Sequence, residues 1–439
     1  MRYLTAFFLA SVIAISISAQ EGQITLPASA PIHITRTEAE QLALENNPRI
    51  SAAHLLALAA GQVTRETRSA ELPQIAGNIT AVKAEDASRI GAGTLNPSAL
   101  YTHAGAGGAL SQLITDFGRT HNLVANSKLL EKAQQQNAQA TEQDILLVTD
   151  QAFYRLLDAQ SLLDVASATV QTRSDVLNLT QALTKSALKS QLDLDIAAAD
   201  LSQAQLLQLD AENSAASARA ALAALLAAPP DTNYQAAEET EAVTSPPALT
   251  GALIDEAHAE RPDLEALRLQ VQADQKFAKA QQEQHLPAIS ASAIGGVIPV
   301  RPDGVFTENW YAAAGVNLSL PVFTGFRISA EAKEARLREQ ADEKRRDDLG
   351  NTISRDVRVA ALAAQTAYQR IGVTENFKKE AVQALELART RYKLGLSSIV
   401  ELSQAQLQST QASVEAVNAR FDYLLALRSL AYARGLLAP

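Results

Sequence analysis

No cysteine occurs in the 439 residues. That excludes disulfides, thiolate metal sites, a thiol nucleophile and a lipid anchor on an N-terminal cysteine, and it fits an exported protein that does without disulfides. Aromatic residues are only 5% of the chain, while 47% is hydrophobic with much alanine, a balance that suits elongated helix packing better than a thick globular core. Basic residues are outnumbered: the net charge of −10 argues against a nucleic-acid partner. Beyond the first residues no run of 18 apolar residues exists, so no transmembrane helix is expected and any membrane crossing falls to β-strands. Catalytic and cofactor signatures are missing too. The six histidines are scattered, no His-Glu-x-x-His occurs, and Gly105-Ala106-Gly107-Gly108 is not followed by the Gly-Lys-Ser/Thr of a phosphate loop. No enzyme, metal site or cofactor is expected.

What is present begins with residues 1–19, read as a secretory signal: Arg2, an apolar stretch from Leu4 to Ile17, then Ser18-Ala19. A helix follows over 37–70, with Thr37-Glu38-Ala39-Glu40 as its capping box. Strand-like stretches at Gln74–Lys83 and Leu100–Ile114 come next. Residues 119–228 then hold neither glycine nor proline. Their heptad stripe is Ile145, Val148, Ala152, Leu156, Ala159, Leu163 and Ala166.

After a Pro-, Glu- and Ala-rich linker, 229–249, the plan recurs. Arg261-Pro262-Asp263-Leu264 echoes Asn47-Pro48-Arg49-Ile50, and Leu286-Pro287 echoes Leu72-Pro73; Pro48 to Pro73 and Pro262 to Pro287 are both 25 residues apart. Strand-like stretches Ala288–Ile298 and Trp310–Leu320 precede a region with two stripes and no proline between Pro321 and Pro439. The first is Ile353, Val357, Ala360, Ala364, Ala367, Ile371; the second is Leu402, Ala405, Ser409, Ala412, Ala416, Ala419, Tyr423, Ala426, Leu430, Ala433, Leu437. They meet at Gly395, the tip of a helical hairpin. Two repeats are therefore expected, 20–228 and 250–439, each with a short helix, a strand pair and a long helical hairpin.

Lengths constrain the geometry. Residues 119–188 as one helix would span about 105 Å at 1.5 Å per residue. The return over 192–228 covers about half of that, and the short helix is the right length for the rest. Each repeat thus sets one long helix beside two shorter ones stacked end to end, with strands at one end and a turn at the other. Four strands cannot close a useful barrel, and an open sheet would leave edge groups in hydrocarbon. If the strands span a membrane, three chains would give twelve, within the range of outer-membrane barrels.

In this order, Glu45-Asn46-Asn47-Pro48, Leu72-Pro73, the strand ends running from Leu-Ser to Gly-Arg, Arg261-Pro262-Asp263-Leu264 and Arg391-Tyr392-Lys393-Leu394-Gly395-Leu396 resemble the outer-membrane efflux proteins of the TolC family. The resemblance implies an α-helical coiled-coil barrel continuous with a transmembrane β-barrel shared by three chains. It implies a homotrimer in the bacterial outer membrane with a periplasmic helical extension. Such a protein is the passive exit duct of a tripartite efflux or type I secretion system, fed by an inner-membrane transporter through a periplasmic adaptor. The hairpin turns would be the periplasmic tip and adaptor-docking surface: Lys189, Ser190 and Gln191 in the first, Gly395, Leu396, Ser397 and Ser398 in the second. Lys189 stands where the family usually has glycine. Asp195 and Glu401 align with acids near the family's constriction, where three copies would ring the pore with carboxylates and favour cations. Tyr392 resembles a tyrosine in the bonds that close the tip. Read without the resemblance, both acids are solvated surface groups and Tyr392 is a helix-packing residue.

Two other readings carry the same helices. A periplasmic adaptor also has a helical hairpin, but one hairpin between half-domains of β structure rather than two with duplicated strand pairs. A structural coiled coil leaves the strand pairs unexplained.

Overall fold

The computed structural model describes residues 31–85, 89–90, 98–99, 101–229, 232–237, 244–300 and 308–437. The expected signal, 1–19, and parts of the linker and of the strand-connecting loops lie outside them. In chain order the elements are β1 (Ile32–Ile34), α1 (Arg36–Asn46), α2 (Pro48–Ser69), β2 (Gln74–Val82), β3 (Arg89–Ile90), β4 (Ser98–Ala99), β5 (His103–Thr115), α3 (Arg119–Lys185), α4 (Gln191–Leu225), β6 (Tyr234–Ala236), α5 (Gly251–Glu260), α6 (Pro262–Glu283), β7 (Ala288–Val300), β8 (Trp310–Ser319), α7 (Arg327–Lys393) and α8 (Ile399–Ala433).

Helices α3 and α7 are each 67 residues, and α4 and α8 each 35. At 1.5 Å per residue the long ones reach about 100 Å. The helix expected over 37–70 is in fact two, because Pro48 lacks an N–H and its ring keeps Asn47 out of the α region (φ −70°, ψ 121°). Asn47 turns this break into a joint. Its Oδ1 accepts the Arg49 N–H at 3.0 Å, capping α2, while its Nδ2 donates to the Leu225 carbonyl at the end of α4, also at 3.0 Å. Thus α2 continues the column of α4. The second half makes its joint differently. Gly435 adopts φ 75°, and a Cβ there would lie 2.9 Å from the Arg261 nitrogen. The end of α8 therefore abuts the start of α6, and Arg434 bonds Glu256 of α5 at 2.6 Å. The first cap also lies earlier than Thr37: Thr35 and Glu38 form the box, with Thr35 extended as it leaves β1.

Two sheets matter. A parallel pair joins β1 to β6, Ile32 against Tyr234 through Ile34 against Ala236. Strand β6 falls in the segment expected as a linker, since three residues are too few to show a period. The larger sheet has the order β2-β5-β7-β8, antiparallel throughout, with β2 and β8 as its edges. Register sorts its faces. Ile75, Ile79, Leu110, Ala293, Val297, Trp310, Ala314, Val316 and Leu318 share one side; Gln74, Asn78, Thr80, Ser111, Ser292, Tyr311 and Asn317 share the other. Trp310 stands exposed at one end of the apolar side, and exposed Phe117, Phe323 and Phe326 stand at the strand-to-helix turns of the other. Two aromatic levels thus bracket a band of strands 9 to 13 residues long, the length that crosses a bilayer at a tilt.

The α8 seam follows its expected stripe: Leu402, Ala405, Ser409, Ala412, Ala416, Ala419, Tyr423, Leu430, Ala433 and Leu437 are buried. In α7 the stripe runs through Ala361 rather than Ala360, a shift of one position as the 3.6-residue helix drifts against the heptad. In α3 Val148 is exposed, and Thr149 and Asp150 are buried instead. Here α3 packs on α4 along one side and on α1 and α8 along another, so a single stripe cannot describe it.

Glycine has a strict role in the sheet. A Cβ on Gly296 would lie 2.5 Å from the Ala106 carbonyl and 2.7 Å from the Tyr311 hydroxyl, whereas one on Gly77 would meet nothing. We expect Gly296→Ala to destabilise the sheet by about 1–3 kcal/mol through overpacking and Gly77→Ala to leave it unchanged. Thermal unfolding of the two variants in detergent measures the difference; equal melting would mean that β5 and β8 relax around the added methyl.

Candidate functional site

The two hairpin turns, 186–190 and 394–398, meet at one end of the bundle, opposite the four-stranded sheet. Both are built alike. In the second, the Leu396 N–H donates to the Arg391 carbonyl at 2.8 Å and the Gly395 N–H to Tyr392 at 3.0 Å, with Gly395 at φ 73°. In the first, Leu188 donates to Leu183 and Ala187 to Thr184, both at 2.9 Å, with Ala187 at φ 56°. This is the paired closure of a helix C-terminus around a left-handed residue. The position that calls for glycine in the first turn is therefore Ala187, not Lys189, and alanine holds it against a steric cost of about 1–2 kcal/mol. Each turn then restarts a helix with serine. Ser190 accepts the Asp193 N–H and Ser398 the Glu401 N–H, both at 3.2 Å.

This correspondence moves the first acid as well. Asp193, not Asp195, occupies the place of Glu401. Hydrogen bonds from Ser190 hold the Asp193 carboxyl below its ordinary range. Asp195 is exposed and accepts from Gln191 at 2.9 Å; Glu401 is exposed and pairs with Arg391 at 3.3 Å.

Lys189 links the two turns. Its ammonium donates to the Ser397 carbonyl at 3.3 Å and sits 4.3 Å above the Tyr392 ring. Tyr392 is fully buried among Val176, Ala197, Ala388, Ile399, Leu402 and Ala405. Its hydroxyl shares a hydrogen bond with Thr180 at 3.2 Å, joining α7 to α3, and burial raises its phenol above the usual value. Arg389 adds a pair with Asp175 at 3.5 Å. Around these ties Leu188, Leu192, Leu394, Leu396 and Val400 stand 63–70% exposed, a concentration of free apolar side chains at the end of the bundle. Ser190, Gln191, Gly395, Leu396 and Ser398 lie on the same exposed rim.

One level deeper lies a group that sequence reasoning missed. Arg173 of α3, only 7% exposed, donates to Asp200 of α4 at 3.3 Å and to Gln406 of α8; Ser403 of α8 also donates to Asp200. Burial depresses the Arg173 guanidinium below its ordinary pKa. The signal was available: Arg173 and Thr180 continue the seven-residue spacing of Ala152, Ala159 and Ala166, so a charge occupies a seam position. Its counterpart 208 positions later in the second hairpin is Ala381.

The family model described as outer membrane efflux protein matches residues 40–228 and 253–436. The outer membrane protein TolC of Vibrio cholerae is 25% identical over 419 residues, covering 90% of this chain and 89% of that protein. The outer membrane efflux protein BepC of Brucella suis is 24% identical over 428 residues, covering 93% and 87%. Among solved structures, the Campylobacter jejuni CmeC outer membrane channel superposes with a TM-score of 0.80 at 18% identity, covering 98% of this chain and 94% of that one. The Vibrio cholerae outer membrane protein VceC superposes with a TM-score of 0.77 at 21% identity, covering 91% and 96%. The matched segments take in both long hairpins and both strand pairs: this chain belongs to the outer membrane efflux protein family.

Proposed function

We propose that three copies of this efflux protein build one duct, in which their sheets close a twelve-stranded barrel in the outer membrane and their helices continue it through the periplasm. The observation that carries this reading is the open sheet. Among the described residues, strands β2 and β8 each present an unpaired edge, while one face is an apolar band between aromatic levels. Such edges in hydrocarbon cost several kcal/mol per unsatisfied group, and only closure removes them. The matching helix lengths in the two halves support a tunnel wall of two repeats per chain, so that three chains give a near-sixfold wall.

The duct performs no chemistry. An inner-membrane transporter and a periplasmic adaptor deliver the substrate, in a tripartite efflux or type I secretion system, and this chain supplies the exit. The adaptor docks at the turns, on Lys189, Ser190, Gln191, Gly395, Leu396, Ser397 and Ser398, where exposed leucines flank exposed polar backbone. Glu401, with Asp193 and Asp195, sets a ring of carboxylates at the constriction, and Tyr392 with Lys189 latches the two hairpins.

Three measurements test this. Light scattering of the detergent-extracted protein, corrected for bound detergent, should give a particle three chains in mass; a monomer would refute the shared barrel. In planar bilayers, Asp195→Asn with Glu401→Gln should lower the preference for cations, and unchanged selectivity would remove both acids from the constriction. Lys189→Met should remove about 1 kcal/mol of latch and raise the open fraction about fivefold. Unaltered conductance would leave Lys189 as a packing residue.

A further inference from the structure

Far from the tip, where α1 lies against the antiparallel seam of α3 and α8, two carboxylic acids are buried face to face. Glu40 of α1 and Asp150 of α3 have no exposed side-chain surface. Glu40 Oε1 accepts from Arg36 at 2.5 Å and from Arg428 of α8 at 2.6 Å, and Asp150 Oδ2 accepts from Arg428 Nε at 2.5 Å. That leaves one oxygen on each acid, Glu40 Oε2 and Asp150 Oδ1, buried and without a donor among the described residues. The two carboxyls take adjacent nitrogens of the one Arg428 guanidinium, Nη2 and Nε, which sets them side by side. Two acceptors in this position are mutually repulsive and desolvated, and a single proton between them satisfies both. The charged and titratable groups around the pair are Arg36 on α1, Tyr154 on α3 and Arg428 on α8. The neighbouring residues in the same core are Leu222 of α4, Leu226 just past its end, and Tyr234 and Ala236 of β6.

We infer that Glu40 and Asp150 share one proton, and that the protonated pair, gripped by Arg428, is a clasp holding α1 and the adjoining β1–β6 sheet to the α3–α8 seam. Burial first and Glu40 second push the Asp150 carboxyl up to about 8. Further along α3, Asp158 faces Asp422 of α8, whose partner Arg370 of α7 lies 3.4 Å away. Burial and then Asp422 push Asp158 up to about 6. Both shifts have the same sign. A carboxyl raised in the folded state stabilises the fold fully below its ordinary value, and that contribution is lost as pH rises through the folded value. The seam is therefore tightest in acid and loosens as pH rises above the ordinary carboxylate range, the loss being complete near about 6 for Asp158 and about 8 for Asp150.

The test compares wild type, Asp150→Asn and Asp150→Ala, as full-length mature protein in detergent, by denaturant unfolding from acid to alkaline pH. An asparagine is the neutral shape of the protonated acid: it can accept from Arg428 and donate to Glu40. Asp150→Asn should match wild type in acid and escape the Asp150 part of the decline, up to about tenfold in the folded-to-unfolded ratio per pH unit. Asp150→Ala should be weaker at every pH. Infrared spectra should show a protonated-carboxyl stretch in wild type at neutral pH that Asp150→Asn lacks. If Asp150→Asn is as damaging as Asp150→Ala in acid, or if that stretch is missing in wild type, the four charged groups are a fully ionised quartet and the clasp is overturned.

Discussion

A helix of 67 residues has to be covered along its whole length, and most of this structure follows from that constraint. Isolated helices are marginal in water and gain their stability from an apolar face laid on a neighbour. The 35-residue partner covers only part of α3 or α7, so the shorter helices must carry on where α4 and α8 stop. The joints at Asn47 and Gly435 are therefore central. At Asn47 one side chain terminates one helix and starts another. At Gly435 the absence of a Cβ lets two backbones touch. Without those joints the sheet end of each long helix would stand uncovered, and the strands would have no fixed platform.

Alanine lines the seams between these columns, and this shifts weight onto polar ties. A methyl group buries little area, so each seam residue contributes roughly one CH2 equivalent, about 0.8 kcal/mol. It also specifies register poorly, since one alanine fits where another did. The ties supply what alanine does not. Tyr432 bonds Asp144 at 2.6 Å, Arg428 bonds Asp150, and Arg173 reaches Gln406. Each joins α3 to α8 at one defined level. Buried polar groups at seam positions have this use in coiled coils, where they set alignment more than stability.

Much of the fold was legible in the sequence because its signals are long. The α8 stripe repeats over eleven positions, and the strand pairs recur at fixed distances from proline. The apolar alternation of β8 is visible in Trp310, Ala312, Ala314, Val316 and Leu318. What was not legible is short or non-local. Strand β6 has three residues and pairs with β1 some two hundred positions earlier in the chain. The first-turn position that calls for glycine is hidden because alanine occupies it, and with it the match of Asp193 to Glu401 across the two turns. Helix α3 misled for another reason: it packs on several partners, so Val148 follows the heptad and still faces outward, while Asp150 leaves it and is buried. The ring contact between Lys189 and Tyr392 depends on two turns meeting in space, which no spacing within either turn encodes.

The equality of the paired helices, 67 with 67 and 35 with 35, acts as a ruler. Both turns reach one level only because both hairpins are the same length, and the seams repeat every seven residues. Removing one heptad from α3 and α4 alone would draw Lys189 about 10 Å away from Ser397. The length of this protein can therefore change only in whole heptads and in both halves together. A longer or shorter reach that keeps both turns at one level takes insertions or deletions in matched sets of four, one in each of α3, α4, α7 and α8.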